Sequence, residues 1–266
     1  TRVDAINRGV FPFATLDREL QSAVAMVSAA GNLRATTDES VYESADIVIV
    51  DVALDIPFLA AEPQLQMSGF ENAIRAVVSR VQSSALVLVE TTVPPGTCEK
   101  IILPILRSEL RRRGMNDGSV HLAHSFERVM PGDAYLDSII NSWRGYAGDT
   151  PAAADACEAF LSTIIDVGRF PMNRLSSMTA SETAKVMENT YRAVNIAFID
   201  EWTRYAEAVG VDLFEVVEAI RVRPTHSNIR FPGLGVGGYC LTKDPAFAPA
   251  AARQLHGLAS LDFPFS

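Results

Sequence analysis

The chain has 266 residues, 48% of them apolar and 21% charged, with a formal net charge of −9. That length allows one large domain or two ordinary ones, and the apolar share excludes a disordered chain. The acidic balance argues against nucleic acid as a general partner, while a local cluster of Lys and Arg still permits a small anionic ligand. Three cysteines, an odd number, fit a reducing cytoplasm better than a disulfide framework. No apolar run approaches the roughly 18 residues of a membrane span, and Thr1-Arg2-Val3-Asp4 opens no signal peptide.

Taken in chain order, residues 14–30 read as an amphipathic helix and 45–52 (ADIVIVDV) as a β-branched strand of the kind buried in a parallel sheet. A helix over 69–82 and a second strand over 85–92 follow. Residues 121–124, 143–147 and 164–167 are weaker strands, with an alanine-rich helix over 151–163 between the last two. Alternating strands and helices imply βαβ units and a mostly parallel sheet. From Ser177 the pattern changes: one long helix runs without Pro or Gly until Gly210, a second helix covers 212–220, and 221–239 is a loop rich in Pro and Gly. The expected architecture is therefore an α/β domain over 1–174 followed by a helical domain over 175–266.

Residues 233–238 (GLGVGG) contain a formal G-x-G-x-x-G, but no strand precedes them and no long helix follows, as a dinucleotide loop requires. The segment reads either as a flexible turn or as backbone that a ligand approaches closely. Cys240 ends it. A thiol there is open to attack an electrophile, and the neighbouring charges Lys243 and Asp244 are unusual beside a buried apolar cysteine. Cys98 and Cys157 lack such surroundings and read as structural. Lys185 and Asn189 lie four apart on one helix face, with Ala184 and Met187 pointing to partial burial. They are either a donor pair for an oxyanion or a snorkelling lysine beside a surface amide. Residues 90–97 (ETTVPPGT) and 125–132 (SFERVMPG) each follow a strand, where open α/β sheets bind ligands, or are ordinary turns. The four histidines show no metal-ligand spacing, so no metal site is expected.

Together these pieces fall into one order. The sequence resembles the nucleotide-sugar 6-dehydrogenases, which include UDP-glucose, UDP-N-acetylhexosamine and GDP-mannose dehydrogenases. The resemblance is carried by VDAINRG at 3–9, ETTVPPGT at 90–97, FERVMPG at 126–132, KVMENTYR at 185–192 and GLGVGGYCLTKD at 233–244. It implies a Rossmann-like NAD-binding domain, a helical dimerisation domain, and NAD-dependent oxidation of a sugar C6 hydroxyl to a carboxylate in the cytoplasm, for polysaccharide synthesis. It implies Cys240 as the nucleophile that forms a thiohemiacetal and then a thioester. Lys185 and Asn189 would stabilise oxyanions. Asp244 would position or deprotonate Lys185, water or the thiol, and Glu127 and Thr92 would hold water and assist proton transfer. Thr92 and Lys243 would touch the cofactor. Substrate would meet Glu127, Lys185, Asn189, Ile229, Phe231, Gly233 and Gly237, with Arg221, Arg223 or Arg230 left open for the diphosphate. The implied partners are a nucleotide sugar, closest to the N-acetylhexosamine branch, and a second copy of the chain.

Three departures accompany the resemblance. The sequence begins just after the point where the family has its first strand, glycine-rich turn and acidic ribose ligand. It stops before the family's third, nucleotide-binding domain. Residues 52–55 (VALD) stand where the family often has VPTP. The expectation is that these residues are part of a longer polypeptide or a truncated homologue. A non-catalytic dimerisation fragment is the alternative of a different class, and a β-hydroxyacid dehydrogenase, which needs no Cys240, a third.

Overall fold

Four consecutive β-branched residues, Ile47–Val50, form strand β1, and Leu86–Val89 form β2 beside it in parallel register, Ile47 opposite Leu86. The computed structural model describes residues 1–56, 64–130 and 132–264. These fall into two compact units, the first comprising 1–52, 68–91 and 98–181, the second 53–67, 92–97 and 182–266.

In the first unit β3 (His121–Phe126) continues the parallel sheet next to β2. β4 (Gly145–Gly148) runs antiparallel to β3, and the two-residue β5 (Asn173–Arg174) lies parallel to β4, giving the order β1-β2-β3-β4-β5. Two short N-terminal helices, α1 (Arg2–Asn7) and α2 (Arg18–Ala29), precede β1. Helix α3 (Ser68–Val78) buries Phe70, Ile74, Val77 and Val78, one face at helical spacing. A π-helical turn over Cys98–Ile102 leads into α4 (Leu103–Arg112), whose Pro104 sits in the first turn, where its missing N–H costs nothing. Helices α5 (Tyr135–Ile140) and α6 (Pro151–Leu161) flank β4. Leu86, Leu88, Ala123, Tyr146, Ala154, Cys157, Leu161 and Ile165 form one buried cluster.

The fold is the expected α/β one, with two local corrections. Residues 164–167 are a turn, not a strand. They follow α6 at once, with the Ile165 amide still bonded to the Leu161 carbonyl, and Ile165 is buried from that turn. Strand β1 is only half buried. It is the edge strand, Val48 and Val50 face inward, and Ile47 and Ile49 are exposed on the other side.

At the end of β2, Glu90 accepts from Arg144 Nη1 at 2.8 Å, a pair almost out of solvent. Burial raises the Glu90 carboxyl, and Asp51 and Glu127 push it in the same direction, against the pull of Arg144. Deeper in, the Tyr146 hydroxyl donates to Glu158 at 2.5 Å, and burial pushes the Cys157 thiol up to about 12.

The second unit contains most of helix α7 (Met178–Val209), whose 32 residues run about 48 Å at 1.5 Å per residue. It is followed by α8 (Leu213–Arg221), capped by Asp212, a 3₁₀ turn at Pro224–His226, α9 (Tyr239–Lys243), a second 3₁₀ turn over Asp244–Ala246, and α10 (Phe247–Gln254). Among the described residues no helix is long and apolar enough to cross a membrane.

Two measurements check this packing. A Cβ on Gly148 would lie 2.3 Å from the Ala154 nitrogen and 2.8 Å from the Ala153 carbonyl carbon, both backbone atoms that cannot swing away. Gly148→Ala is expected to cost about 2–3 kcal/mol in urea unfolding, the range of core overpacking. The raised thiol of Cys157 stabilises the native state fully below the pKa of the unfolded thiol, near 8.5, and that contribution is lost as pH climbs towards 12. Cys157→Ala is therefore expected to flatten part of the stability loss between about pH 9 and 12, read as urea midpoints across that range.

Candidate active site

Helix α7 turns one face inward in the second unit: Glu182, Lys185, Val186, Asn189 and Ala193 are buried at spacings of three and four. Val186 is the apolar anchor of that face; Met187, expected to share in the burial, points to solvent instead. Glu182 is fully buried and accepts the Gly96 amide at 2.6 Å, which ties the loop 92–97 to the helix. Gly96 has φ +97, a conformation that favours glycine. The same loop is held a second time, where the Pro95 carbonyl and His256 Nε2 lie 2.9 Å apart.

Asp244 is the centre of the unit's polar interior and has no solvent exposure. Its Oδ1 accepts from Lys243 Nζ at 2.6 Å and its Oδ2 from Asn189 Nδ2 at 2.6 Å. Lys243 is itself buried, its ammonium 4.9 Å from the centre of the Tyr239 ring and 4.6 Å from that of Phe247. Charge-assisted bonds and aromatic faces are the compensation a desolvated ammonium needs. One N–H of the Asn189 amide is committed to Asp244, and the other is what it can offer a ligand.

Cys240 is the second residue of α9 and is exposed, whereas Cys98 and Cys157 are buried. Gly238, at φ +84, is the N-cap residue that turns the loop into α9. Upstream, Gly235 has φ +83, and the loop lines a cavity of about 240 Å³ together with Ile196, Ile199 and Asp200 of α7. Phe231 and Gly233 are in that lining, as is Arg230. Ile229 and Gly237 are not among its lining residues. Arg221 lies 4.7 Å above the Phe231 ring, which also stacks on Phe214.

Of the sequence-derived residues, Asn189, Lys243 and Asp244 are brought into direct contact, Lys185 shares their helix face, and Cys240 precedes Asp244 by one helical turn. Thr92 is half-buried at the start of the loop that Glu182 holds. Glu127 belongs to the first unit, just past β3, where its carboxylate accepts the Val129 amide. Pro131 of the same motif lies outside the described residues. Sequence reasoning missed Glu182, His256, Asp55 and Tyr239. Glu182 left a signal, three residues before Lys185 on the same face; Asp55 and Tyr239 stand inside motifs, but nothing local marks their pairing. Among the described residues no group of three or more His, Cys, Asp or Glu is placed to hold a metal ion.

A mostly parallel sheet whose strands are joined by helices, followed in sequence by a helical unit with a buried Lys–Asn–Asp array near a cysteine on the short helix after a glycine loop, defines a two-part class, a nucleotide-binding α/β domain with a helical partner. The comparisons agree. Residues 1–157 match the NAD binding domain, and 179–261 the central domain, of the UDP-glucose/GDP-mannose dehydrogenase family, and the chain belongs to that family. It is 33% identical over 258 residues to UDP-N-acetyl-D-mannosamine dehydrogenase of Pyrococcus horikoshii, covering 96% of this chain and 58% of the relative. It is 32% identical to NDP-N-acetyl-D-galactosaminuronic acid dehydrogenase of Ralstonia nicotianae, covering 95% and 58%. Among solved structures, the Pyrococcus horikoshii UDP-D-ManNAc dehydrogenase superposes with a TM-score of 0.83 at 29% identity, over 99% of this chain and 58% of that one. The chain spans somewhat more than half the length of these relatives.

The family's cofactor is NAD, and the donor set suits part of it. The parallel strands β1, β2 and β3 run into Asp51, Glu90 and Glu127; Glu90 is taken by Arg144, while the exposed Asp51 and half-buried Glu127 are acceptors suited to ribose hydroxyls or a carboxamide and unsuited to a diphosphate. Among the described residues no G-x-G-x-x-G turn joins a strand to a helix.

Asp244→Asn should lower stability by about 3–5 kcal/mol in urea unfolding, because the Lys243 ammonium stays buried without its counter-charge. Lys243→Met added to it should recover part of that loss.

Proposed function

We propose that the protein containing this chain carries out the NAD-dependent four-electron oxidation of a nucleotide sugar, a UDP-N-acetylhexosamine or UDP-hexose, from C6 alcohol to uronic acid. The observation that carries the reading is the buried Asn189–Asp244–Lys243 array one helical turn from an exposed Cys240. Support for the substrate class comes from the relatives named as dehydrogenases of UDP-N-acetyl-D-mannosamine and NDP-N-acetyl-D-galactosaminuronic acid.

The cofactor, when bound, supplies the hydride acceptor for each of the two oxidations. Thr92 is assigned to it, and so is Lys243, through the ammonium N–H donors beyond its Asp244 bond. The protein's own groups do the remaining work. Lys185 and the second N–H of Asn189 donate to the C6 oxygen as it gains negative charge. Asp244 holds the Asn189 amide so that this donor stays aimed. The Cys240 sulfur adds to the C6 aldehyde, its proton passing to the carbonyl oxygen, to form a thiohemiacetal. Loss of a second hydride and a proton leaves a thioester. Water cleaves the C–S bond, releasing the carboxylate and restoring the thiol; Glu127 and Thr92 are each assigned, as the resemblance implies, to water and proton transfer. Phe231, Gly233, Ile229 and Gly237 offer the loop's surface and backbone to the nucleotide sugar, and Arg230, in the cavity lining, is the arginine best placed for the diphosphate.

The same reading places the protein in the cytoplasm, in polysaccharide synthesis, with the NAD-binding part ending near residue 174 and the helical part beginning at 175. It makes the protein a homodimer. Phe198, Trp202 and Tyr205 form a ladder of exposed aromatic rings along α7, with ring centres 6.1 and 5.5 Å apart, and Val209, Val211 and Phe214 continue the exposed apolar side chains into α8. A patch of that kind on a polar protein marks an interface.

Incubation of the purified full-length polypeptide with NAD⁺ and UDP-N-acetylmannosamine, UDP-N-acetylglucosamine or UDP-glucose tests this reading. Two NADH per acid formed are expected with one of them, and Cys240→Ala should make no acid. Normal acid production by Cys240→Ala would overturn the mechanism. A stable dimer that reduces no NAD⁺ with any of the three would favour a non-catalytic assembly module.

A further inference from the structure

Helix α9 carries Cys240 but has only five residues. So short a helix has no stability of its own and must be held by contacts outside it. Below, Leu241 and Lys243 are buried. Ahead of it stands a stretch with four glycines in six residues, 233–238, which fixes nothing. At its first turn the Tyr239 hydroxyl donates to Asp55 Oδ1 at 2.5 Å, across 184 residues of sequence and within the same compact unit. Both residues stand at motif positions, Asp55 in the VALD departure and Tyr239 immediately before the cysteine.

We propose that Asp55 and Tyr239 are positioning residues that clamp the first turn of α9 and so fix the direction in which the Cys240 thiol points. The clamp reaches further than Cys240. With its hydroxyl held, the Tyr239 ring presents its face to the Lys243 ammonium, which bonds Asp244, which in turn holds Asn189. One chain of contacts thus runs from Asp55 on the loop after β1 to the oxyanion donor on α7. The bond is charge-assisted, and burial together with the Asp55 carboxylate pushes the Tyr239 phenol up to about 12, so the hydroxyl keeps its proton, and the clamp its donor, throughout the neutral range.

The catalytic consequence rests on the proposed dehydrogenase reading; the clamp itself does not. Alcohol oxidation needs no sulfur, whereas acid formation needs the thiol within bonding reach of the aldehyde. A nucleophile misplaced by about 1 Å can lose about 10²-fold in rate. Tyr239→Phe and Asp55→Ala should therefore lower kcat for acid formation by about 10- to 100-fold, leave KM within about threefold, and release aldehyde that a hydrazine reagent traps. Asp55→Asn, which keeps an acceptor oxygen, should restore most of the rate. Independently of any activity, amide hydrogen exchange over 239–243 should speed up by about fivefold or more in Tyr239→Phe and Asp55→Ala. The double variant should be no worse than either single one. Exchange like the wild type's in both single variants would overturn the clamp. Faster exchange with unchanged acid formation would overturn its catalytic role. A wild-type protein that makes no acid would sink the dehydrogenase reading instead, and the exchange comparison would still decide the clamp.

Discussion

A carboxylate with no access to water must be answered by its neighbours, and the second unit is arranged around that requirement at Asp244. Its two oxygens are taken by groups 55 residues apart or adjacent in sequence, Asn189 on α7 and Lys243 at the end of α9. The pair of bonds fixes the rotation of α7 about its axis, since Asn189 must face inward, and Lys185 and Glu182 follow on the same side. It also fixes the end of α9, and with it the position along the chain at which Cys240 emerges. Glu182 extends the scheme by holding the Gly96 amide, so the loop that begins with Thr92 is set by the same helix face.

What could be read from the sequence followed from periodicity and from residue types with few alternatives. A run of 32 residues free of Pro and Gly gives one helix, so α7 is legible nearly at its true limits, and apolar runs rich in Val and Ile give β1 and β2, which occupy only four residues of the eight expected for each. The failures share a cause. Residues 164–167 look like a strand because Ile and Val are clustered there, yet a turn can bury a side chain as well as a strand can: Ile165 is buried, while Val167 is exposed. The partial burial around Lys185 is real, but Val186 supplies it and not Met187, which the helix presents to solvent. The short helices α1, α5 and α9 are too brief for a period to register.

Candidate residues were legible where a residue type is costly to place without a reason. A charge next to a loop cysteine, and a Lys and Asn one turn apart, are such cases; that Asn189 and Lys243 both bond Asp244 could be seen only in the structure. Asp55, Tyr239 and His256 were invisible because each acts through a partner more than 150 residues away, and no local pattern announces such a pairing. Glu127 shows the complementary limit. Its motif was plain, but it resides in the first unit, with the acidic carboxyl edge of the sheet, and not among the buried groups of the second.

The contrast among the three cysteines has a practical side. Two are enclosed in protein, and the Cys157 thiol resists ionisation until far above neutral pH, while Cys240 stands in solvent. Reagents and oxidants that need a thiolate will meet one sulfur per chain. For these 266 residues, a colorimetric thiol count at neutral pH in the folded state thus becomes a titration of intact Cys240 sites, and its decline on storage in air a gauge of sulfenic acid and higher oxides accumulating at that residue.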